Sequence, residues 1–261
     1  MTSTDHQSLV CLGGPPMDSQ PDLSIVFPAY NEAENIEASI LDAIQVLNQL
    51  GLNGEIVVVN DGSHDQTANV VRDVATRHHQ VHLINHDMNQ GYGAAVWTGL
   101  TNAMGKLVFF CDADRQFDLA ELEKLVARRH HAPLVVGYRA PRRDPVLRRL
   151  NGWGWSHLVT LLFGYTARDI DCAFKMLDQR VIDTLRQQVQ SRGATFSAEL
   201  LVRAKRAGFQ IAEVAIIGHR PRVAGKPTGA KLSVILRAFR ELLQLYRVLN
   251  RESRTTKPAI L

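Results

Sequence analysis

Lys106-Leu107-Val108-Phe109-Phe110-Cys111-Asp112-Ala113-Asp114 decides the fold. The apolar run after Lys106 has the length of a buried strand, and two carboxylates follow it on the turn at the strand's C-terminal end. That edge is where open α/β sheets bind ligands. Carboxylates two residues apart on an extended turn are stable as anions mainly when a hard divalent cation such as Mg²⁺ or Mn²⁺ bridges them to phosphate oxygens. The pair predicts a metal-bound nucleotide diphosphate.

The same strand, turn and helix unit recurs upstream. Leu23 to Phe27 is an apolar run stopped by Pro28, and Glu32 to Leu50 carries Ile36, Ile40, Ala43, Ile44 and Leu47 at helical spacing. Glu55 to Asn60 ends in Asp61-Gly62, after which Gln66 to Arg77 is helical with Ser63 or Asp65 as N-cap. Val81 to Asn85, the turn Asn89-Gln90-Gly91-Tyr92-Gly93 and a helix from Ala94 to Met104 make a third unit. A helix from Leu119 to Arg129 completes the fourth, and Leu134 to Gly137 adds a fifth strand. Strands alternating with helices predict a mostly parallel central sheet with helices on both faces. Beyond it come a basic loop over 139–149, an amphipathic helix from Leu150 to Tyr165, strands Ala173 to Leu177 and Ile211 to Ile217 around a helix from Ser197 to Ala207, and a closing apolar stripe from Leu232 to Asn250.

The chain has 261 residues, enough for one large α/β domain, expected over 22–250. Residues 1–21 read as a flexible tail without a signal-peptide core, and 251–261 as a C-terminal tail. Charge divides the domain. Residues 22–127 carry 5 Lys/Arg against 15 Asp/Glu, whereas 128–261 carry 25 against 9. That asymmetry divides the domain into a first half over 22–138 and a second over 139–250 that face different partners, the second suited to a membrane surface. The acidic first half and the lack of interleaved aromatics in the second argue against nucleic acid; anionic lipid or phosphate suits the basic half. Three cysteines with no CxxC pair exclude a disulfide scaffold and a zinc site. No stretch reaches about 18 uncharged apolar residues, so no transmembrane helix is predicted, and a cytoplasmic setting is expected.

Pro28-Ala29-Tyr30-Asn31-Glu32, Asn60-Asp61-Gly62-Ser63 with Asp65 and Thr67, Asn89-Gln90-Gly91-Tyr92-Gly93, and Asp112-Ala113-Asp114 with Gln116 stand in the order and spacing of family 2 inverting glycosyltransferases. The chain most resembles their polyprenyl-phosphate branch, typified by dolichyl-phosphate mannose synthase. The resemblance implies a GT-A, Rossmann-like, nucleotide-diphospho-sugar transferase fold. It implies that Pro28, Tyr30, Glu32, Asp61, Asp112, Ala113 and Asp114 bind the donor, and that Asp114 and Gln116, with Asp112 bridging to the ribose, ligate Mg²⁺ or Mn²⁺. A carboxylate such as Asp61 suits base recognition, because it accepts hydrogen bonds from ring N–H groups.

Register with Phe174 gives Asp169 the family's acceptor-side position, with Asp171 as a rival; a purely structural alternative pairs the carboxylate with Arg168 or Lys175. The resemblance places acceptor phosphate on Arg139, Arg148, Arg222, Lys226 and Lys231, the last three within a mobile basic loop, His219 to Lys231. The activity implied is inverting transfer of one sugar, from GDP-mannose or UDP-glucose, to a polyprenyl phosphate. Two rivals are the same chemistry on a soluble or glycan hydroxyl, and nucleotide-sugar binding without turnover. Trp153 and Trp155, flanked by Arg148 and Arg149, predict a peripheral site on the cytoplasmic face of a membrane, with a membrane-spanning partner possible.

Overall fold

A computed structural model describes residues 20–141, 146–220 and 232–255 of the chain. Seven strands form one sheet: β1 Leu23–Ala29, β2 Gly54–Asp61, β3 Val81–His86, β4 Leu107–Cys111, β5 Leu134–Arg139, β6 Phe174–Asp178 and β7 Ile211–Ile216, in the order β3-β2-β1-β4-β6-β5-β7. The helices are α1 Ile36–Leu50, α2 Thr67–Arg77, α3 Tyr92–Asn102, α4 Leu122–Arg128, α5 Val146–Phe163, α6 Gln179–Leu185, α7 Phe196–Arg206 and α8 Leu232–Thr255.

Alternation along the strands explains the layers. In β1, Leu23, Ile25 and Phe27 point to a core shared with α1, α2 and α4, while Val26 points to the opposite core, built with α3, α6, α7 and α8. Each face is a separate apolar cluster, so both surfaces of the central strands are dry. Phe109 and Phe174 meet edge to face at 4.7 Å between centroids and tie β4 to β6.

The fold is as expected except at β6, which runs antiparallel to both neighbours. Its pairing sets Phe174, where β6 begins, opposite Cys111, where β4 ends. The segment entering β6 is therefore delivered beside the Asp112–Asp114 turn, which brings the second half of the sequence to the first.

Some boundaries differ from expectation for local reasons. The first helix begins at Ile36 and not at Glu32, because residues 31–33 surrender their N–H groups to side chains of the second loop. Neither Ser63 nor Asp65 is the N-cap of α2; Gln66 is, although Asp65 Oδ1 still accepts the Thr67 N–H at 3.0 Å. Residues 251–255 belong to α8 and not to a tail, held by the Arg203–Glu252 ion pair at 3.0 Å. Pro21, at the other end, accepts the Lys106 N–H at 2.9 Å and so joins the fold.

Candidate active site

The C-terminal ends of β1, β2, β4 and β5 and the start of β6 share one edge of the sheet. On it the first two loops are sewn together. Asn31 lies in the left-handed region at φ 56°, a position Asn tolerates because its short side chain bonds locally; here Oδ1 accepts the His64 N–H at 2.9 Å. Ser63 Oγ, Thr67 Oγ1 and Asp65 Oδ2 accept the N–H groups of Asn31, Glu32 and Ala33. Glu32 is buried with its Oε2 on Asn35 Nδ2 at 2.8 Å. Tyr30 remains exposed, edge-on to His64 at 6.3 Å.

Asp61 is buried and heavily engaged. Its Oδ1 contacts His86 Nδ1 at 2.7 Å and accepts the Gln90 N–H at 2.8 Å, and its Oδ2 accepts the Gly91 N–H at 2.9 Å. Three contacts on about four acceptor sites pin the β3–α3 turn and leave room for one more. Two loops meet here closely enough to need glycine, at Gly62 after β2 and at Gly91 before α3. Gly62 has φ 66° and a Cβ there would lie 2.5 Å from the backbone at Met88 and Asn89; Gly91 has φ 103° and would meet Arg192 O at 2.6 Å.

The Asp112–Gln116 turn is fixed from α1. Ala113, itself buried, gives its carbonyl to Ser39 Oγ at 2.9 Å, and Arg115, at φ 59°, reaches Asp42 at 3.1 Å. Asp114 is buried and its Oδ1 accepts the Gln116 N–H at 3.1 Å. Burial first, and the Asp114 charge second, push the Asp112 carboxyl up to about 7, against a hydrogen bond from the Tyr92 hydroxyl that favours the anion. Two crowded carboxylates, one of which, Asp112, resists ionisation, form a site that a divalent cation would relieve. Gln116 adds an amide, although its Nε2 donates to Arg220 O at 3.2 Å. Among the described residues there is no cluster of three or more His, Cys, Asp and Glu that could hold a metal ion by itself.

On the acceptor side, Asp169 pairs with neither Arg168 nor Lys175. It accepts from Arg139 Nε at 2.8 Å and Nη2 at 2.9 Å, a buried two-point ion pair, with the Arg139 backbone N–H at 3.3 Å. Arg168 lies instead over the Tyr138 ring at 4.4 Å. Asp171 is exposed. The structure thus joins Arg139 and Asp169, which the sequence reading treats as separate acceptor-side groups. Cys111 and Cys172 are buried free thiols whose pKa values burial raises, that of Cys172 to about 12, so neither is a nucleophile. The Arg148 side chain, Arg222, Lys226 and Lys231 lie outside the described residues.

Three participants escape sequence reasoning: His86 behind Asp61, Tyr92 on Asp112, and Arg139 as the partner of Asp169. Tyr92 carries the one available signal, since it is the first residue of α3 directly after the Asn89–Gly91 turn. The two tryptophans separate. Trp153 is 57% exposed, whereas Trp155 packs inward and meets Phe239 at 5.9 Å, so of the two expected surface tryptophans only Trp153 is on the surface.

The chain is similar to known proteins in sequence and in fold. A dolichyl-phosphate beta-glucosyltransferase of Trichomonas vaginalis is 32% identical over 211 residues, 74% of this chain and 64% of the relative. The Saccharomyces cerevisiae dolichyl-phosphate beta-glucosyltransferase is 28% identical over 228 residues, 77% and 68% of the two chains. The chain spans slightly less than two thirds of the Trichomonas relatives it matches. Among solved structures, glucosyl-3-phosphoglycerate synthase from Mycobacterium tuberculosis, in complex with Mn²⁺, UDP-glucose and phosphoglyceric acid, superposes with a TM-score of 0.67 at 20% identity, over 87% of this chain and 80% of that one. That likeness establishes the GT-A fold. The family described as glycosyl transferase family 2 matches residues 24–186, the span holding all four donor-side motifs and the Arg139–Asp169 pair, and the chain belongs to it.

Proposed function

We propose that the protein transfers a sugar, with inversion, from a nucleotide diphosphate donor to a polyprenyl phosphate. The Arg139–Asp169 pair carries this reading. A hydroxyl acceptor needs a carboxylate able to take a proton, whereas a phosphate monoester arrives as an anion and needs an oriented cation. Asp169 is committed to Arg139 through two short bonds, which suits it to aiming a guanidinium and not to general-base work. The similar dolichyl-phosphate beta-glucosyltransferases support the same acceptor class and favour UDP-glucose over GDP-mannose.

In this reading Pro28, Tyr30, Glu32 and Asp61 hold the nucleoside, with Asp61 also fixing the Gln90–Gly91 turn. Asp112, Asp114 and Gln116 would hold Mg²⁺ or Mn²⁺, which as a Lewis acid neutralises the departing diphosphate. Tyr92 orients Asp112, Arg139 receives the acceptor phosphate, and the phosphate oxygen itself attacks the anomeric carbon opposite the leaving group. Arg148, Arg222, Lys226 and Lys231 add cationic charge around both phosphates.

No helix among the described residues is long and apolar enough to cross a membrane. The lipid is reached from its surface. Trp153 and Leu161 of α5 and Phe239 and Leu243 of α8 are exposed, a set of apolar side chains on the basic half of the sequence. We place the enzyme peripherally on the cytoplasmic face.

The test compares polyprenyl phosphate with the matching polyprenol and with a soluble glycan, under UDP-glucose and GDP-mannose. The reading expects product with the phosphate alone. Equal or better transfer to a free hydroxyl would assign the enzyme to the hydroxyl-acceptor class.

A further inference from the structure

Lys175, the second residue of β6, has no exposed surface and lies beneath the acceptor-side turn. Its Nζ donates to the carbonyl oxygens of Ile170, at 3.0 Å, and Cys172, approaches Ser197 Oγ at 3.5 Å, and sits 5.5 Å from the centre of the Phe110 ring. The two carbonyls flank Asp171, and the Cys172 N–H closes the turn onto Asp169 O at 3.2 Å. An ammonium has three donors, and here all three face the inner side of one short segment and its support on α7. With both carbonyls drawn inward, the Asp169 side chain meets Arg139.

A buried lysine is an expensive way to fill a core. Desolvation lowers its pKa, opposed by the charges of Asp171, Asp169 and Asp112. An apolar side chain of similar volume would pack there at less cost, but it would leave two buried carbonyls without donors and the turn without its tether. The position is thus explained by what the ammonium holds.

We propose that Lys175 is a positioning residue of the acceptor subsite, holding Asp169–Cys172 in the shape that presents Asp169 to Arg139. The proposal rests on the polyprenyl-phosphate reading.

It is tested by steady-state kinetics with UDP-glucose as varied donor and dolichyl or undecaprenyl phosphate as varied acceptor, on wild type, Lys175→Met, Lys175→Gln, Asp169→Asn and the Lys175→Met/Asp169→Asn double variant. For Lys175→Met the expected result is a loss of about tenfold or more in kcat/KM for the acceptor with donor KM within about twofold of wild type. Lys175→Gln, which keeps two N–H donors, recovers most of that loss. In the Asp169→Asn background Lys175→Met should cost less than about twofold more, because both changes act through one pair. UDP binding in the presence of Mn²⁺ and circular dichroism report whether each variant is folded. Equal damage to donor and acceptor parameters, or full additivity in the double variant, overturns the proposal. So does failure of both Lys175 variants to fold, which would make the lysine a support of the whole domain. A wild type that never labels polyprenyl phosphate removes the functional reading and this proposal together, whereas an active wild type with an unaltered acceptor KM and kcat in Lys175→Met removes this proposal alone.

Discussion

Asp169→Asn perturbs the Arg139 pair while leaving a side chain of the same shape. The native carboxylate accepts two charge-assisted bonds from Arg139, at 2.8 and 2.9 Å, and both partners are almost fully buried. Asparagine keeps one acceptor oxygen and turns an NH₂ group towards a guanidinium that cannot accept, so one bond and the charge are lost. Hydrogen bonds to charged groups contribute about 1.5–3 kcal/mol each, and a donor left unsatisfied in a buried place adds to the loss, so about 2–4 kcal/mol is expected. If that energy orients Arg139 for the acceptor, kcat/KM for polyprenyl phosphate falls roughly 30- to 900-fold. Asp171→Asn, at an exposed position, should change stability by no more than about 0.5 kcal/mol and lower turnover less. The assay is initial-rate transfer of radiolabelled sugar over a range of acceptor concentrations, with donor affinity from calorimetry. Donor affinity should be nearly unchanged in both variants. A larger loss in Asp171→Asn would move the acceptor-side carboxylate by two residues and refute the reasoning; equal losses in donor and acceptor parameters would show that the pair serves the fold.

Asp114→Ala should remove transfer, by several kcal/mol of transition-state stabilisation, without unfolding the sheet, and full activity in excess chelator would exclude the metal. The Asp112 carboxyl, raised to about 7, remains protonated in the folded protein at pH values where the unfolded chain has lost that proton. Wild-type stability without metal should therefore fall, relative to Asp112→Asn, as pH rises from about 4 to 7, and Mn²⁺ should reverse the trend; melting curves at pH 5 and 8 check it. Trp153→Ala should weaken sedimentation with anionic vesicles, whereas Trp155→Ala should lower the melting temperature, because only Trp153 is exposed. Added salt should release the wild type from those vesicles, and salt-insensitive sedimentation would contradict an electrostatic component.

The first five strands were legible because each is a dense apolar run, closed at β2 by Gly62 and at β4 by the Asp112 pair; β1 runs past Pro28 to Ala29, because Pro28 still pairs in register with Val59. The turn after β2 was legible because part of its bonding is local, as where Asp65 accepts the Thr67 N–H two residues on, whereas the reach of Asp65 to the Ala33 N–H, 32 residues back, was not. The orientation of β6 was not legible, since periodicity is blind to strand direction and β6 is reached through the long segment holding α5. The partners of Asp61, Asp112 and Asp169 depend on that topology. Arg139 and Asp169 are 30 residues apart, and two other cations, Arg168 and Lys175, stand closer in sequence. Only the pairing of β5 with β6 selects Arg139.

The most direct measurement incubates the wild-type protein with labelled UDP-glucose, Mn²⁺ and polyprenyl phosphate, and reads both the organic phase and the anomeric configuration of the product. The account predicts a single lipid-extractable sugar phosphate whose anomer is the inverse of the donor's. Label confined to a water-soluble glycoside, or a lipid product that retains the donor's configuration, would contradict it.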